Sequence, residues 1–184
     1  MLVLLAVQQN DVWKIVSFSI YGSTLILLYL ASTLYHSFRN ENLKSIFKII
    51  DHSSIYILIA GTYTPFMLIN LRGPWGWSIF GSIWGLAIIG IVFKVFFIGK
   101  AKKLSLIVYV FMGWFCLIAL KEMLIKIPAG GMIWLAIGGL FYTLGIIFYV
   151  WRKLPYNHAV WHLFVLTGSI SHYFSIFFYI LPKD

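Results

Sequence analysis

The chain has 184 residues, of which 61% are hydrophobic, 19% aromatic and 10% charged, and its formal net charge is +9 at pH 7. A mean hydropathy of +0.93 excludes an ordinary soluble domain, because so apolar a surface would aggregate in water. The Lys and Arg residues fall in short runs between apolar stretches, which favours contact with anionic lipid headgroups and argues against a nucleic-acid partner. The single cysteine, Cys116, excludes an intramolecular disulfide framework.

Six apolar runs are long enough to cross a bilayer as helices, which takes about 20 residues each. In chain order they cover residues 12–38, 51–71, 75–97, 104–120, 132–151 and 158–181. A shorter run at residues 2–7 is expected to be the end of a first helix whose beginning lies outside this chain. The sequence has no linker long enough to separate two domains. The prediction is therefore a single all-α transmembrane domain over residues 1–184, a polytopic helix bundle of seven-transmembrane architecture.

Loop charge predicts the orientation, because cytoplasmic loops are enriched in Lys and Arg. The loops after the second, fourth and sixth spans hold nine such residues: Arg39, Lys44, Lys48, Lys94, Lys100, Lys102, Lys103, Arg152 and Lys153. The opposite side holds five: Lys14, Arg72, Lys121, Lys126 and Lys183. The nine-to-five bias predicts that these three loops lie in the cytoplasm and the C-terminus outside.

Four ionisable residues stand at the ends of apolar runs on the predicted cytoplasmic side. His36 closes one run, Asp51 opens the next, and His158 and His162 open the last. Ionisable groups beside lipid are costly and mark functional sites. His158 and His162 are spaced i, i+4 and project from one helix face about 6 Å apart in rise, the spacing by which one helix supplies two imidazoles to one metal.

A third ligand must come from another helix, and His36 is the natural candidate because it sits at the matching depth, with Ser32 one turn before it. Three histidines with an open fourth position are typical of catalytic zinc, whereas structural zinc is usually closed by four protein ligands. The prediction is a Zn²⁺ site of His36, His158 and His162. Two alternatives stay open: a lone interfacial histidine is often only an anchor, and Asp51 suits the N-cap of a helix.

Two further histidines receive other roles. His172 would lie about 15 Å deeper than His162 on one helix, so it is expected to make a buried hydrogen bond and not to bind the metal. His52 would point about 100° away from Asp51 and is assigned to the membrane interface.

Three motifs in this order are similar to those of the hemolysin III family, bacterial relatives of the progestin and adipoQ receptors. They begin at Ser32 (STLYH), Asp51 (DHSSIYILIAGTYTP) and Asn157 (NHAVWH). The resemblance runs over essentially the whole chain. It implies a seven-helix membrane protein with a cytoplasmic N-terminus. The family's first helix begins with an acidic motif containing Asn and His, which nothing before Leu2 supplies.

The resemblance also implies residue roles. Zinc would be held by His36, His158 and His162, the carboxylate of Asp51 would hold the zinc-bound water, and Ser32 would lie beside the metal. The receptor branch looks like a hydrolase of lipid amides such as ceramides, while bacterial members carry a cytolysin name.

Three functions follow as hypotheses. In the first, a zinc-dependent, ceramidase-like hydrolase, Asp51 orients water and accepts its proton while zinc polarises a lipid carbonyl; its partners are membrane lipids and a lipid substrate. In the second, a receptor or sensor uses zinc only to tie helices together. In the third, the protein is a pore or cytolysin. Its cavity would be lined by Thr62, Tyr63, Thr64, Thr167, Ser169, Ser171 and His172, which form no rings of charge.

Overall fold

The computed structural model describes residues 1–96, 102–151 and 153–182. The charge assignments that involve Lys100, Arg152, Lys183 and the C-terminal Asp184 lie outside these residues. All regular secondary structure in the described part of the chain is helical, which confirms the prediction of an all-α fold. Four described helices are long and apolar enough to cross a membrane, namely Val12–Ser37, Pro74–Phe96, Lys103–Lys126 and Ala129–Val150.

The helices have the following bounds: α1 Leu2–Gln8, α2 Val12–Ser37, α3 Glu41–Pro65, α4 Pro74–Phe96, α5 Lys102–Trp114, α6 Leu120–Lys126, α7 Ala129–Val150 and α8 Asn157–Tyr179. A π-helical turn, Phe66–Asn70, continues α3, and a 3₁₀ segment, Phe115–Ala119, joins α5 to α6. Most bounds lie within a few residues of the predicted runs. Outward side chains such as Ile26 (69% exposed) and Ile133 (60%) are apolar, as lipid contact requires.

Helix α3 begins ten residues before the predicted run. The Asn40 side chain accepts hydrogen bonds from the main-chain N–H groups of Asn42 (3.0 Å) and Leu43 (3.2 Å) and thereby caps the helix. Glu41 follows in the first turn, where a negative charge is favourable. Asp51 consequently lies inside the helix, and the alternative that it caps α3 is wrong.

The run predicted at residues 104–120 continues as helix to Lys126, through a change of helical geometry. Where α5 gives way to the 3₁₀ segment, the Tyr63 hydroxyl lies 2.8 Å from the Met112 carbonyl oxygen and accepts a hydrogen bond from the Cys116 N–H, also at 2.8 Å. A buried side chain from α3 thus satisfies main-chain groups that the change of geometry leaves without helical partners.

The chain divides into two compact units. The N-terminal unit comprises Met1 and Val3–Cys116, and the C-terminal unit comprises Leu2 and Leu117–Asp184. In the N-terminal unit, α3 packs against α2 and α4 around fully buried side chains such as Phe18, Tyr21 and Tyr56. The prediction of one domain over residues 1–184 stays a prediction.

The C-terminal unit is built on the pairing of α7 with α8. Three glycines recur at seven-residue intervals along α7, and each is covered by a side chain from α8. The pairs are Gly131 with Tyr179, Gly138 with His172, and Gly145 with Trp161 and Phe164. Residues seven apart lie on nearly the same face of a helix, so the three glycines form one face of α7. The close approach of α8 to that face sets the rotation of α8 about its own axis.

Candidate metal centre

The end of α2 carries Ser32 and His36 on successive turns. His36 is exposed and stands in the last turn of the helix. Its ring packs against the neighbouring Tyr35 at 4.6 Å between centroids. Ser32 is half-buried. The helix stops at Ser37, so this pair sits at the end of a membrane-length helix, as predicted.

Within the N-terminal unit, Asp51 faces these two residues from α3. The Asp51 side chain is only 14% exposed. The Ser32 hydroxyl acts on the carboxylate as a hydrogen-bond donor, and the His36 ring and the Lys94 ammonium group are near enough to act on it electrostatically. The fold therefore brings Ser32, His36 and Asp51 together, although they come from two helices.

His52 also contacts Asp51, which its expected direction on an ideal helix did not indicate. Its ring atom Nδ1 lies 3.5 Å from Asp51 Oδ2 and 2.7 Å from the main-chain oxygen of Lys48. The shorter contact makes Nδ1 a donor to the Lys48 carbonyl. His52 is thus held by its own helix beside the carboxylate.

In the C-terminal unit, the start of α8 presents His158 and His162. Their Nε2 atoms are 3.1 Å apart. The Asn157 side-chain amide donates to the Phe148 carbonyl (3.2 Å), which ties the beginning of α8 to the end of α7. Both imidazoles therefore direct a nitrogen to one point from a helix terminus held in place.

His172 makes the hydrogen bond expected of it. Its Nε2 lies 3.2 Å from the Leu135 carbonyl oxygen, and its Nδ1 has no access to solvent. The ring fills the space above Gly138. The predicted hydrogen bond is confirmed, and the His172 side chain is half-buried.

Within the C-terminal unit, His158 and His162 are placed to supply two imidazole ligands to one metal ion. That His36 of the N-terminal unit supplies the third stays a prediction. The distance between the two Nε2 atoms on α8 can be compared with the separation of two nitrogen ligands on zinc. Two imidazole nitrogens on a tetrahedral zinc, each about 2.0–2.1 Å from the ion, are roughly 3.3 Å apart. The observed 3.1 Å fits that separation. Imidazole is also a donor that zinc accepts readily, so the residues present suit this metal.

A family model described as "Haemolysin-III related" matches residues 1–173 of the chain. The chain belongs to this family. It is 47% identical over 181 residues to "Hemolysin-3" of Bacillus cereus, covering 98% of this chain and 83% of that protein. It is 47% identical over 178 residues to the "Hemolysin-3 homolog" of Bacillus subtilis (strain 168), covering 97% and 84%.

The relatives extend to animals. The chain is 32% identical over 183 residues to the human "Monocyte to macrophage differentiation factor", covering 95% of this chain and 76% of that protein. No solved structure matches the chain. Together with the apolar helices, the family makes this chain a multi-pass membrane protein.

Sequence reasoning missed the residues that surround Asp51 from α4 and α5. Lys94 acts on the carboxylate from α4, and the Tyr109 hydroxyl donates to the main-chain carbonyl of His52 at 2.8 Å. Lys94 could have been identified from the sequence, because it is an ionisable residue near the end of an apolar run, like His36. Tyr109 had none, since it is one of 11 tyrosines in the chain.

Proposed function

We propose that this protein is a zinc-dependent hydrolase that acts on a lipid amide or ester at the cytoplasmic face of the membrane. The observation that carries the proposal is the paired imidazoles of His158 and His162, whose Nε2 atoms are 3.1 Å apart. His36 would complete a set of three neutral nitrogen ligands. Three protein ligands leave one position of a tetrahedral ion open, as in catalytic zinc sites.

When bound, zinc would supply a Lewis acid that polarises the substrate carbonyl and lowers the pKa of water. The protein's own contribution to the reaction would come from Asp51. As a carboxylate it accepts a proton from the attacking water and orients that water toward the carbonyl carbon. The Ser32 hydroxyl, which acts on the same carboxylate as a donor, would fix which oxygen is free to take the proton.

The apolar surroundings define the class of substrate. The helices that carry these residues belong to a membrane protein, and the three histidines stand near helix ends, so the reacting bond would lie at headgroup level. The chain would supply six full membrane spans and the end of a first one. Its C-terminus would lie outside, as the nine-to-five bias of basic residues supports. A C-terminal reporter is expected to be active only outside the bacterial cytoplasmic membrane. A cytoplasmic reporter would reverse the orientation and move the site to the outer face.

The test combines metal analysis with lipid analysis. Purified protein is expected to contain about one zinc per chain, and His36→Ala is expected to lose zinc. Lipid extracts of cells that express the wild-type protein should be depleted in an amide or ester lipid that accumulates with His36→Ala. His172→Gln is the matched control, because a glutamine retains a donor for the Leu135 carbonyl and His172 is outside the group of three.

Two results would redirect the proposal. Zinc in the wild-type protein without any change in lipids would favour structural zinc in a receptor or sensor. The absence of zinc from the wild-type protein would remove the hydrolase proposal altogether.

A second candidate is a cytolysin, because the two Bacillus relatives are named for hemolysis. The polar residues considered for a pore argue against it. Each of these side chains makes a hydrogen bond within its own unit, in most cases to a main-chain carbonyl of its own helix. The seven residues are Thr62, Tyr63, Thr64, Thr167, Ser169, Ser171 and His172. Release of a dye from vesicles by the purified protein would favour the cytolysin, and its retention would favour the hydrolase.

A further inference from the structure

The stretch of α3 around Asp51 is held by the two helices that follow it in the N-terminal unit. An aspartate side chain has only two rotatable bonds, so the place of its carboxylate depends mainly on where the helix main chain stands. Two bonds within α3 shape this stretch: Ser54 Oγ donates to the Asp51 carbonyl (2.7 Å), and His52 Nδ1 contacts the Lys48 carbonyl (2.7 Å). Both move with α3 and cannot fix its position.

Tyr109 supplies a contact that can fix the position of α3. Its hydroxyl donates from α5 to the main-chain oxygen of His52 at 2.8 Å. His52 follows Asp51 directly in the chain. A carbonyl oxygen has two lone pairs, so this bond adds to the helical bond of α3 without replacing it. The hydroxyl therefore holds the main chain one residue from the carboxylate.

The Tyr109 ring is itself held in place. It packs against Tyr56 at 4.5 Å between ring centroids, and Tyr56 is only 1% exposed. On α4, Gly90 leaves the space that the Tyr56 ring occupies, because a side-chain carbon there would overlap it. The hydroxyl of Tyr109 is thus presented to α3 by a packed pair of rings.

One turn after Gly90, Lys94 joins the same region. Its ammonium group lies 3.4 Å from the hydroxyl of Ser105, which is 3% exposed and belongs to α5. Its charge also acts on the Asp51 carboxylate. Helices α4 and α5 are therefore joined at the level of Asp51, which makes Tyr109 part of a braced structure.

We propose that Tyr109 is a positioning residue for Asp51, which it holds through the main-chain carbonyl of His52. Its effect on catalysis rests on the proposed function, but its effect on the carboxylate does not. In this role Tyr109 acts through the main chain of α3 and not on the substrate or on the proposed zinc ligands. Loss of its hydroxyl should change the surroundings of Asp51 and leave the zinc ligands as they are.

The chain offers a direct probe of the carboxylate, because it has only three aspartates, Asp11, Asp51 and Asp184. Protein labelled with ¹³C at the aspartate side-chain carboxyl should give three carbon signals in detergent, and the signal missing from Asp51→Asn identifies Asp51. Tyr109→Phe retains the ring and removes the hydroxyl. It is expected to shift the Asp51 signal and to leave the Asp11 signal in place.

Tyr142→Phe is the matched control. It removes a hydroxyl that contacts Ser169 Oγ at 2.7 Å in the C-terminal unit and should leave the Asp51 signal unchanged. An unshifted Asp51 signal in Tyr109→Phe would overturn the proposal. If that variant yields too little folded protein, fluorotyrosine at position 109 changes the donor strength at nearly constant shape, and a shift of the Asp51 signal relative to the wild type is required.

Kinetics supplies the second arm. Tyr109→Phe is expected to lower kcat about 10-fold, the lower end for residues that orient a metal site, with KM and zinc content unchanged. In the Asp51→Asn background the same substitution should lower kcat no further. An equal loss in both backgrounds would show that Tyr109 acts independently of Asp51 and would overturn the proposal.

The two arms separate the two proposals. If the wild-type protein binds zinc but hydrolyses no lipid, the proposed function is wrong. The carbon signal of Asp51 then still tests whether Tyr109 positions this carboxylate. If the protein hydrolyses a lipid but Tyr109→Phe leaves the Asp51 carbon signal unshifted, the proposed function stands and the positioning role of Tyr109 is wrong.

Discussion

The candidate residues of the two units are held in different ways. In the C-terminal unit, one helix supplies both His158 and His162, and their 3.1 Å separation follows from a spacing of four residues on α8. In the N-terminal unit, Asp51 is placed by neighbours on other helices, with Ser32 and His36 on α2 and Lys94 on α4. Local geometry is enough for the imidazole pair, whereas the carboxylate needs the packed unit around it.

This difference predicts how the two groups fail when they are perturbed. A substitution that weakens helix packing should disturb Asp51 before it disturbs the imidazole pair. A substitution in either imidazole should remove the metal outright.

The largest effect is expected for Asp51→Asn. The amide retains a hydrogen bond but cannot take a proton, so hydrolysis of the lipid substrate should fall by about 10²–10⁴-fold. Zinc content should stay near that of the wild type, because three imidazoles already supply the protein ligands. Metal analysis and turnover are measured on the same preparation. Loss of zinc as complete as in His36→Ala would make Asp51 a direct ligand, and full activity would end its role as a base.

The next effect concerns the pair on α8. His158→Ala and His162→Ala should each weaken zinc binding more than about 100-fold. Changing a residue that only orients a ligand costs about 10–100-fold in metal affinity, and losing the ligand itself should cost more. Zinc per chain after dialysis against a weak chelator measures this, with His172→Gln as the control on the same helix. Retention of full zinc by both alanine variants would place the metal elsewhere.

Helix packing is tested by glycine substitutions in each unit. Gly138→Ala would force a side chain against His172, and Gly90→Ala would force one against Tyr56; each should destabilise the protein by about 1–3 kcal/mol. Thermal unfolding in detergent measures the loss. Gly81→Ala is the control, because nothing lies within 4 Å of the added carbon.

The two glycine variants are also expected to differ in activity. At temperatures where both remain folded, Gly90→Ala should reduce hydrolysis more than Gly138→Ala does, because Tyr56 supports the ring of Tyr109 beside α3. Equal activity in the two variants would mean that the placement of Asp51 does not depend on this packing.

The smallest effect is expected for Asn40→Ala. It removes the side-chain cap of α3 and should destabilise the protein by about 1 kcal/mol. Asn42→Ala, two residues further on, removes a side chain that does not cap the helix and serves as the control. Equal stability of the two variants would contradict the observed start of α3 at Glu41.

Short-range patterns in the sequence predicted the features that depend on short-range geometry. The four-residue spacing of the histidines on α8, the helical class and the approximate bounds of most helices follow from hydropathy and helix periodicity. The start of α3 did not, because its first turns carry Lys44 and Lys48, and hydropathy does not detect the cap at Asn40. The sequence therefore presented Asp51 as a residue at a helix end.

The surroundings of Asp51 were beyond sequence reasoning for a second reason. Tyr109 reaches the carbonyl of His52 across 57 residues of chain, and Lys94 comes from a third helix. Such contacts depend on how three helices rotate against each other, which periodicity alone does not specify. The carboxylate itself could be selected from the sequence, but the residues that hold it could not.

The central claim is that one zinc is held by three imidazoles with Asp51 beside it and not on it. X-ray absorption at the zinc edge of the purified protein tests this most directly. Three nitrogen neighbours at about 2.0–2.1 Å and one further light atom are expected, with the nitrogen shell unchanged in Asp51→Asn. A sulfur neighbour, a shell with fewer than three nitrogens, or a protein that contains no zinc would contradict it.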